Sequence, residues 1–170
     1  MKTAIKIFSL AIAIIGFSAT SFAQVSATAT ATSTIVAPIA ISKTVNMNFG
    51  NVAVNANAGT VVLSHAGTRS ASGGVTLPAT SGTIAAAEFT VTGQAGYTYS
   101  VTLPSTATTV TSGSNNMTVT AFTSNLAGGN GTLTNGTETL KVGATLNVGA
   151  SQAAGTYISA TPFTVTVNYN

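Results

Sequence analysis

The sequence predicts an all-β fold, a β-sandwich of short strands, on three observations. Apolar and hydroxyl residues alternate with period two along much of the chain, only 4% of residues are charged, and turn sequences rich in Gly and Asn interrupt the alternation at short intervals. A period of two sends successive side chains to opposite faces of a strand, and the abundant Thr and Val favour a pleated, half-buried backbone. After the first two dozen residues no stretch repeats apolar residues at helical spacing, residues 83–88 being the nearest exception. Low charge combined with high β-branched content also argues against disorder.

The N-terminal segment reads differently. Lys2 and Lys6 precede an apolar run from Ile7 to Phe17, and Ser21 and Ala23 flank Phe22 in a small-x-small pattern. This predicts a signal peptide over residues 1–23 and an exported product in the periplasm, at the cell surface or outside the cell. The apolar run is too short to span a bilayer, so no transmembrane segment is expected in the mature chain. Outside the leader, Lys43, Arg69 and Lys141 nearly balance Glu88 and Glu138, which gives no basic surface for nucleic acid. The chain has no cysteine, so a hydrophobic core alone must hold the domain.

From Val25 to Ile41 the odd positions are mostly apolar and the even ones mostly Ser and Thr, with Pro38 removing a ladder donor. The pattern predicts an edge strand, or two strands meeting at a break. Val45, Met47 and Phe49 continue as a strand, and Gly50 suggests a bulge before Val52 and Val54. Further strands are expected at residues 60–64, 74–77, 88–92, 97–103, 117–122, 131–133, 138–142 and 145–148, with a last one over 157–169. Asn57-Ala58-Gly59, Ser72-Gly73-Gly74, Gly93-Gln94-Ala95-Gly96, Gly128-Gly129-Asn130-Gly131 and Asn135-Gly136 supply the separating turns. Strands of this length and spacing suggest an immunoglobulin-like sandwich with Greek-key connections. No second domain is visible, which leaves residues 24–33 as an N-terminal extension and 34–170 as a single sandwich.

The side chains that support catalysis are scarce. There is no Asp, Cys or Trp, one His, and two Glu fifty residues apart. His65 in Ser64-His65-Ala66-Gly67 lacks an Asp to orient it for nucleophilic activation, and one His with two Glu cannot close a zinc or calcium cage. Glu88 and Glu138 read as solvent-facing strand residues, and Lys43 and Arg69 as isolated solvated charges. The expectation is no enzyme, no catalytic residue, no metal and no cofactor.

The strongest pattern closes the chain. Gly155-Thr156-Tyr157 precedes Phe163-Thr164-Val165-Thr166-Val167-Asn168-Tyr169-Asn170, in which Phe163, Val165, Val167 and Tyr169 occupy every odd position. This ending resembles the last strand of chaperone-usher pilins, in particular the archaic class that includes the spore coat U domain. Asn48-Phe49-Gly50-Asn51-Val52 looks like the early Phe-Gly motif of those subunits, and Ala95-Gly96-Tyr97-Thr98-Tyr99 like their central strand. With Leu140-Lys141-Val142-Gly143-Ala144-Thr145-Leu146 added, the chain also resembles the secreted domain-of-unknown-function family 4402. The cysteines that many spore coat U relatives carry are absent here.

The pilin resemblance implies an incomplete immunoglobulin-like sandwich completed by a donated strand, from a periplasmic chaperone at an outer-membrane usher and then from the next subunit. Residues 25–33 would be the donor, inserting Val25, Ala27, Ala29 and Ala31 through main-chain pairing. Gly155, Tyr157, Phe163, Val165, Val167 and Tyr169 would form the C-terminal assembly strand. The implied function is a fimbria-like structural subunit that self-associates into a polymer and serves in adhesion. Two alternatives belong to other classes. One is a secreted sugar- or protein-binding module using Tyr97, Tyr99, Tyr157 and Phe122 as stacking faces; the other is a small outer-membrane barrel.

Overall fold

The computed structural model describes residues 23–170, so the expected signal peptide lies outside the described residues except for Ala23. Residues 23–34 form a unit separate from the domain that begins at Ile35; all of them are exposed and none belongs to a strand.

The domain is built of twelve β-strands: β1 (Ala40–Val45), β2 (Asn48–Phe49), β3 (Ala53–Leu63), β4 (Arg69–Thr76), β5 (Ile84–Ala85), β6 (Ala87–Thr92), β7 (Thr98–Thr102), β8 (Thr108–Ser112), β9 (Asn115–Ser124), β10 (Asn130–Thr132), β11 (Thr137–Val148) and β12 (Thr166–Tyr169). One turn of 3-10 helix, Ala127–Gly129, precedes β10. Every strand pair is antiparallel.

A seven-stranded sheet runs β1-β6-β11-β3-β4, with β9 and β8 branching from β11. Val142 of β11 faces Ala87 of β6 on one side and Ser124 of β9 on the other. The same edge of β11 therefore pairs first with β6 and then, from Ala144, with β3. A three-stranded sheet, β10-β7-β12, faces the β6-β11 part of the large sheet, and β2 pairs with β5 as a separate ribbon.

The core follows from the alternation. Val91, Leu140 and Val142 from the large sheet cluster with Tyr99 and Val167 from the small one, with Val165 just before β12 and with Leu133 just after β10. A second cluster forms under the other half of the large sheet from Val61, Val75, Val119, Leu146 and Val148, and Met47, Phe49 and Val52 pack against it. Each fully buried Val or Leu is worth roughly 1.5–3 kcal/mol relative to exposure, so these positions account for much of the cohesion of a domain without disulfides.

Several local expectations are corrected. The alternation from Val25 becomes a strand only at Ala40, two residues after Pro38, whose ring removes an N–H. Asn57-Ala58-Gly59 is not a turn: Gly59 pairs with Gly73 inside the β3–β4 ladder, where the register also shifts. The true β3–β4 turn is Ser64 to Thr68, closed by Ser64 Oγ and Thr68 Oγ1 at 2.7 Å, and it carries His65. Residues 138–142 and 145–148 form one strand, with an irregularity against β9 between Gly143 and Thr145. Within 157–169 only Thr166–Tyr169 joins a ladder, with Ile158 making an isolated bridge to Thr111. β8 has no counterpart among the expected strands.

Candidate functional site

Lys141, Glu88, Glu138, Tyr99 and Arg69 all make contacts within the fold. Lys141 and Glu88 are directly opposed on β11 and β6 and form a 2.8 Å ion pair on the outer face of the sheet. Glu138 lies on the other face, in register with buried Val91, and its Oε2 accepts hydrogen bonds from the Tyr99 hydroxyl at 2.9 Å and the Thr132 amide at 3.0 Å. The two carboxylates stand on opposite faces of one sheet and share no site. Burial first, and the Glu138 carboxylate second, push the Tyr99 phenol well above its ordinary range. His65 is exposed in its turn, and among the described residues no three His, Cys, Asp or Glu side chains cluster as metal ligands.

Arg69 departs from its expected role. It is half-buried, opposite Leu63 in the ladder, and its Nη1 donates to the carbonyls of Phe49 and, at 2.9 Å, Asn51. These carbonyls flank Gly50, whose φ of 65° takes the chain from β2 toward β3. The Asn48-Phe49-Gly50-Asn51 sequence thus builds a turn with an arginine at its centre, and Asn48 Oδ1 accepts from the Gly50 amide at 2.8 Å.

The strand edges differ sharply in how they are protected. An exposed edge is a template for pairing, and inward charges, bulges, short length or a covering segment block it. At β1, Lys43 is in register with inward-facing Phe89, and a bulge follows it. At β4, Arg69 is the inward charge. Thr111 of β8 exchanges both main-chain hydrogen bonds with Ile158, at 2.9 and 3.0 Å. The N-terminal half of β11 is capped by Asn125, whose side chain bonds the Lys141 amide and the Thr139 carbonyl. β10 is three residues long.

β12, four residues long, carries no inward charge, bulge or covering side chain. It pairs with β7 from Thr166↔Thr102 to Tyr169↔Tyr99, and among the described residues it has no ladder partner on its other edge. Asn170 donates its amide to Thr98, so by alternation the main chains of Thr166 and Asn168 face β7. Those of Val165, Val167 and Tyr169 face the open edge. The side chains keep their expected alternation: Val165 and Val167 are buried, Phe163 and Tyr169 half-buried, and Thr164, Thr166 and Asn168 exposed. Upstream of Thr166 the chain leaves β7, and an uncharged open cleft of about 580 Å³ lies between residues 102–109 and 160–166.

Tyr169 is held at both ends of its side chain. Its hydroxyl accepts from the Gln94 amide at 2.6 Å and donates to the Ala37 carbonyl at 2.8 Å, while its ring packs edge-on to Tyr97 at 5.7 Å. Tyr157 lies apart from this strand: its hydroxyl accepts from Gln152 and donates to the Ala153 carbonyl. Gly155 packs against Ser112 at the end of β8. The terminal motif therefore divides, with Gly155 and Tyr157 near β8 and Phe163, Val165, Val167 and Tyr169 in the sandwich. Val25, Ala27, Ala29 and Ala31 are all exposed and outside any ladder. Of the aromatics considered as stacking faces, Tyr99 is fully buried and Phe122 packs in the core, which leaves Tyr97 as the most exposed.

The fold and its edges define an all-β, antiparallel two-sheet sandwich protein. The chain matches the family described as Domain of unknown function (DUF4402) over residues 39–169, and it belongs to that family. No curated protein and no solved structure matches it.

Proposed function

We propose that this protein is an exported, non-enzymatic structural subunit that assembles by strand addition, residues 24–33 of one copy pairing with the open edge of β12 in another. The observation that carries the reading is the undefended edge of β12, beside edges that are blocked by Lys43, Arg69, Ile158 and Asn125. An unguarded edge is a ready template for a strand from another chain.

Three further features support it. The neighbours β1-β6-β11-β9 in one sheet and β7-β12 in the other support reading the domain as an immunoglobulin-like sandwich open to one further strand. Ile39, Ile41, Phe89 and Phe163 are only half-buried, so alternate side chains of an added strand have apolar surface to cover. Residues 24–33 carry no charge and are fully available for pairing. The reading aligns the protein with pilin subunits of the archaic chaperone-usher class, for which a chaperone would hold the same edge before assembly and an usher would direct export. The outer face of the large sheet bears Ser42, Thr90, Thr139, Glu88 and Lys141, which suits water better than lipid and disfavours the barrel reading.

Deleting residues 24–33 is expected to abolish polymers of the mature protein, followed by electron microscopy, while the monomer keeps its thermal midpoint. Polymers that persist after the deletion exclude residues 24–33 as the donor.

A further inference from the structure

From the way Tyr169 bridges two parts of the domain, we infer that it is a positioning residue coupling the accepting edge to the root of the donating segment. The inference rests on the strand-addition reading and specifies how occupation of one end of a subunit reaches the other.

Tyr169 is the last residue of β12, and its main chain faces the open edge. The same residue's hydroxyl accepts from the Gln94 amide and donates to the Ala37 carbonyl. Gln94 completes a ring, since its Oε1 accepts the Ala37 amide at 3.3 Å. Both main-chain groups of Ala37 are thus held by two side chains, one from β12 and one from the β6–β7 turn. Ala37 lies just before Pro38, whose ring fixes φ, and three residues after Thr34, where the separate exposed unit ends.

The hydroxyl is positioned tightly. Gly93 lies against it so closely that a methyl group there would overlap the Tyr169 oxygen and meet Leu133 Cδ1 at 2.9 Å. Only the hydroxyl makes these polar contacts, while the ring packs on Tyr97. Tyr169→Phe therefore separates the linkage from the packing.

A strand added along β12 takes up the main-chain groups of Val165, Val167 and Tyr169 and restrains Tyr169. Restraining Tyr169 stabilises its bonds to Gln94 and Ala37, and so orders the segment from which the next donor leaves. Because coupling is reciprocal, an ordered root also favours a strand on the edge. The linkage runs through hydrogen bonds alone and involves no acidic or basic side chain.

The test uses the monomeric mature protein and a synthetic peptide of residues 24–34 as the edge ligand. Amide exchange is followed by NMR at Val167, Gln94 and Ala37. With peptide bound, exchange is expected to slow at all three in the wild type. In Tyr169→Phe it is expected to slow at Val167 but not at Ala37, and the unliganded variant should exchange about tenfold faster at Gln94, the effect of one lost hydrogen bond. Protection at Val167 without any change at Ala37 in the wild type overturns the coupling and leaves strand addition standing. No protection at Val167 overturns strand addition at this edge, and the coupling with it. Equal slowing at Ala37 in wild type and Tyr169→Phe overturns the role of the hydroxyl.

Discussion

Tyr99 and Glu138 join the two sheets of the sandwich through a 2.9 Å hydrogen bond, the fully buried phenol of β7 donating to the carboxylate on β11. The carboxylate also accepts the Thr132 amide of β10, so one acidic side chain ties three strands across the core. A hydrogen bond to a charged acceptor contributes about 1.5–3 kcal/mol, against roughly 1 kcal/mol for a neutral pair. Tyr99→Phe should cost about 2 kcal/mol in urea unfolding, and Glu138→Gln, which keeps one acceptor oxygen, should cost less.

The same pair sets an alkaline limit. In the unfolded chain the phenol ionises near pH 10, while in the fold burial and then Glu138 hold its pKa above that range. A folded pKa above the unfolded one gives a contribution that is complete below the unfolded value and is lost as pH rises through the folded value. Stability should fall from about pH 10 upward, and the slope should be shallower in Tyr99→Phe. Equal slopes in the two proteins would place the alkaline titration elsewhere.

Arg69 offers a second test, because its side chain is the centre of the β2–β3 turn rather than a surface charge. Arg69→Met keeps much of the aliphatic bulk and removes the donors to Phe49 and Asn51. Two carbonyls then lose charged donors, an expected cost of about 2–4 kcal/mol by denaturant titration. Arg69→Lys should recover only part of it, since an ammonium lacks the planar fork. Full recovery by lysine would mean that charge alone, not the guanidinium geometry, holds the turn.

How much of this was legible in the sequence depends on the range of the interaction. The alternation of Phe163, Val165, Val167 and Tyr169 gave the right face for each residue because period two is a local property of a strand. The alternation beginning at Val25 was equally regular, yet it joins no ladder before Ala40, since a strand needs a partner and periodicity names none. Gly59 and Gly73 looked like turns because glycine marks turns, but here each accommodates the other across a ladder, a pairing fixed by distant register. Glu138 read as a solvent-facing residue because its partner Tyr99 is thirty-nine residues away, and Arg69 read as solvated because carbonyl acceptors leave no mark in a sequence. The edge of β12 became identifiable only once the protections of the competing edges could be compared.

That edge can be blocked without touching the ladder beneath it. The bonds from β12 to β7 run through Thr166, Asn168 and Asn170, so the Val167 amide points outward. Proline at position 167 lacks this donor, and proline is tolerated on an edge strand when its nitrogen faces away from the ladder. Val167→Pro should therefore fold, losing about 1–3 kcal/mol from altered core packing, and should fail to form polymers. Asn168→Pro removes a donor toward Ser100 and should destabilise the monomer more. Thermal unfolding combined with electron microscopy separates the two effects. Polymers of normal length from Val167→Pro would show that assembly uses a different edge, whereas polymers lost in Asn168→Pro together with the fold would report only on stability.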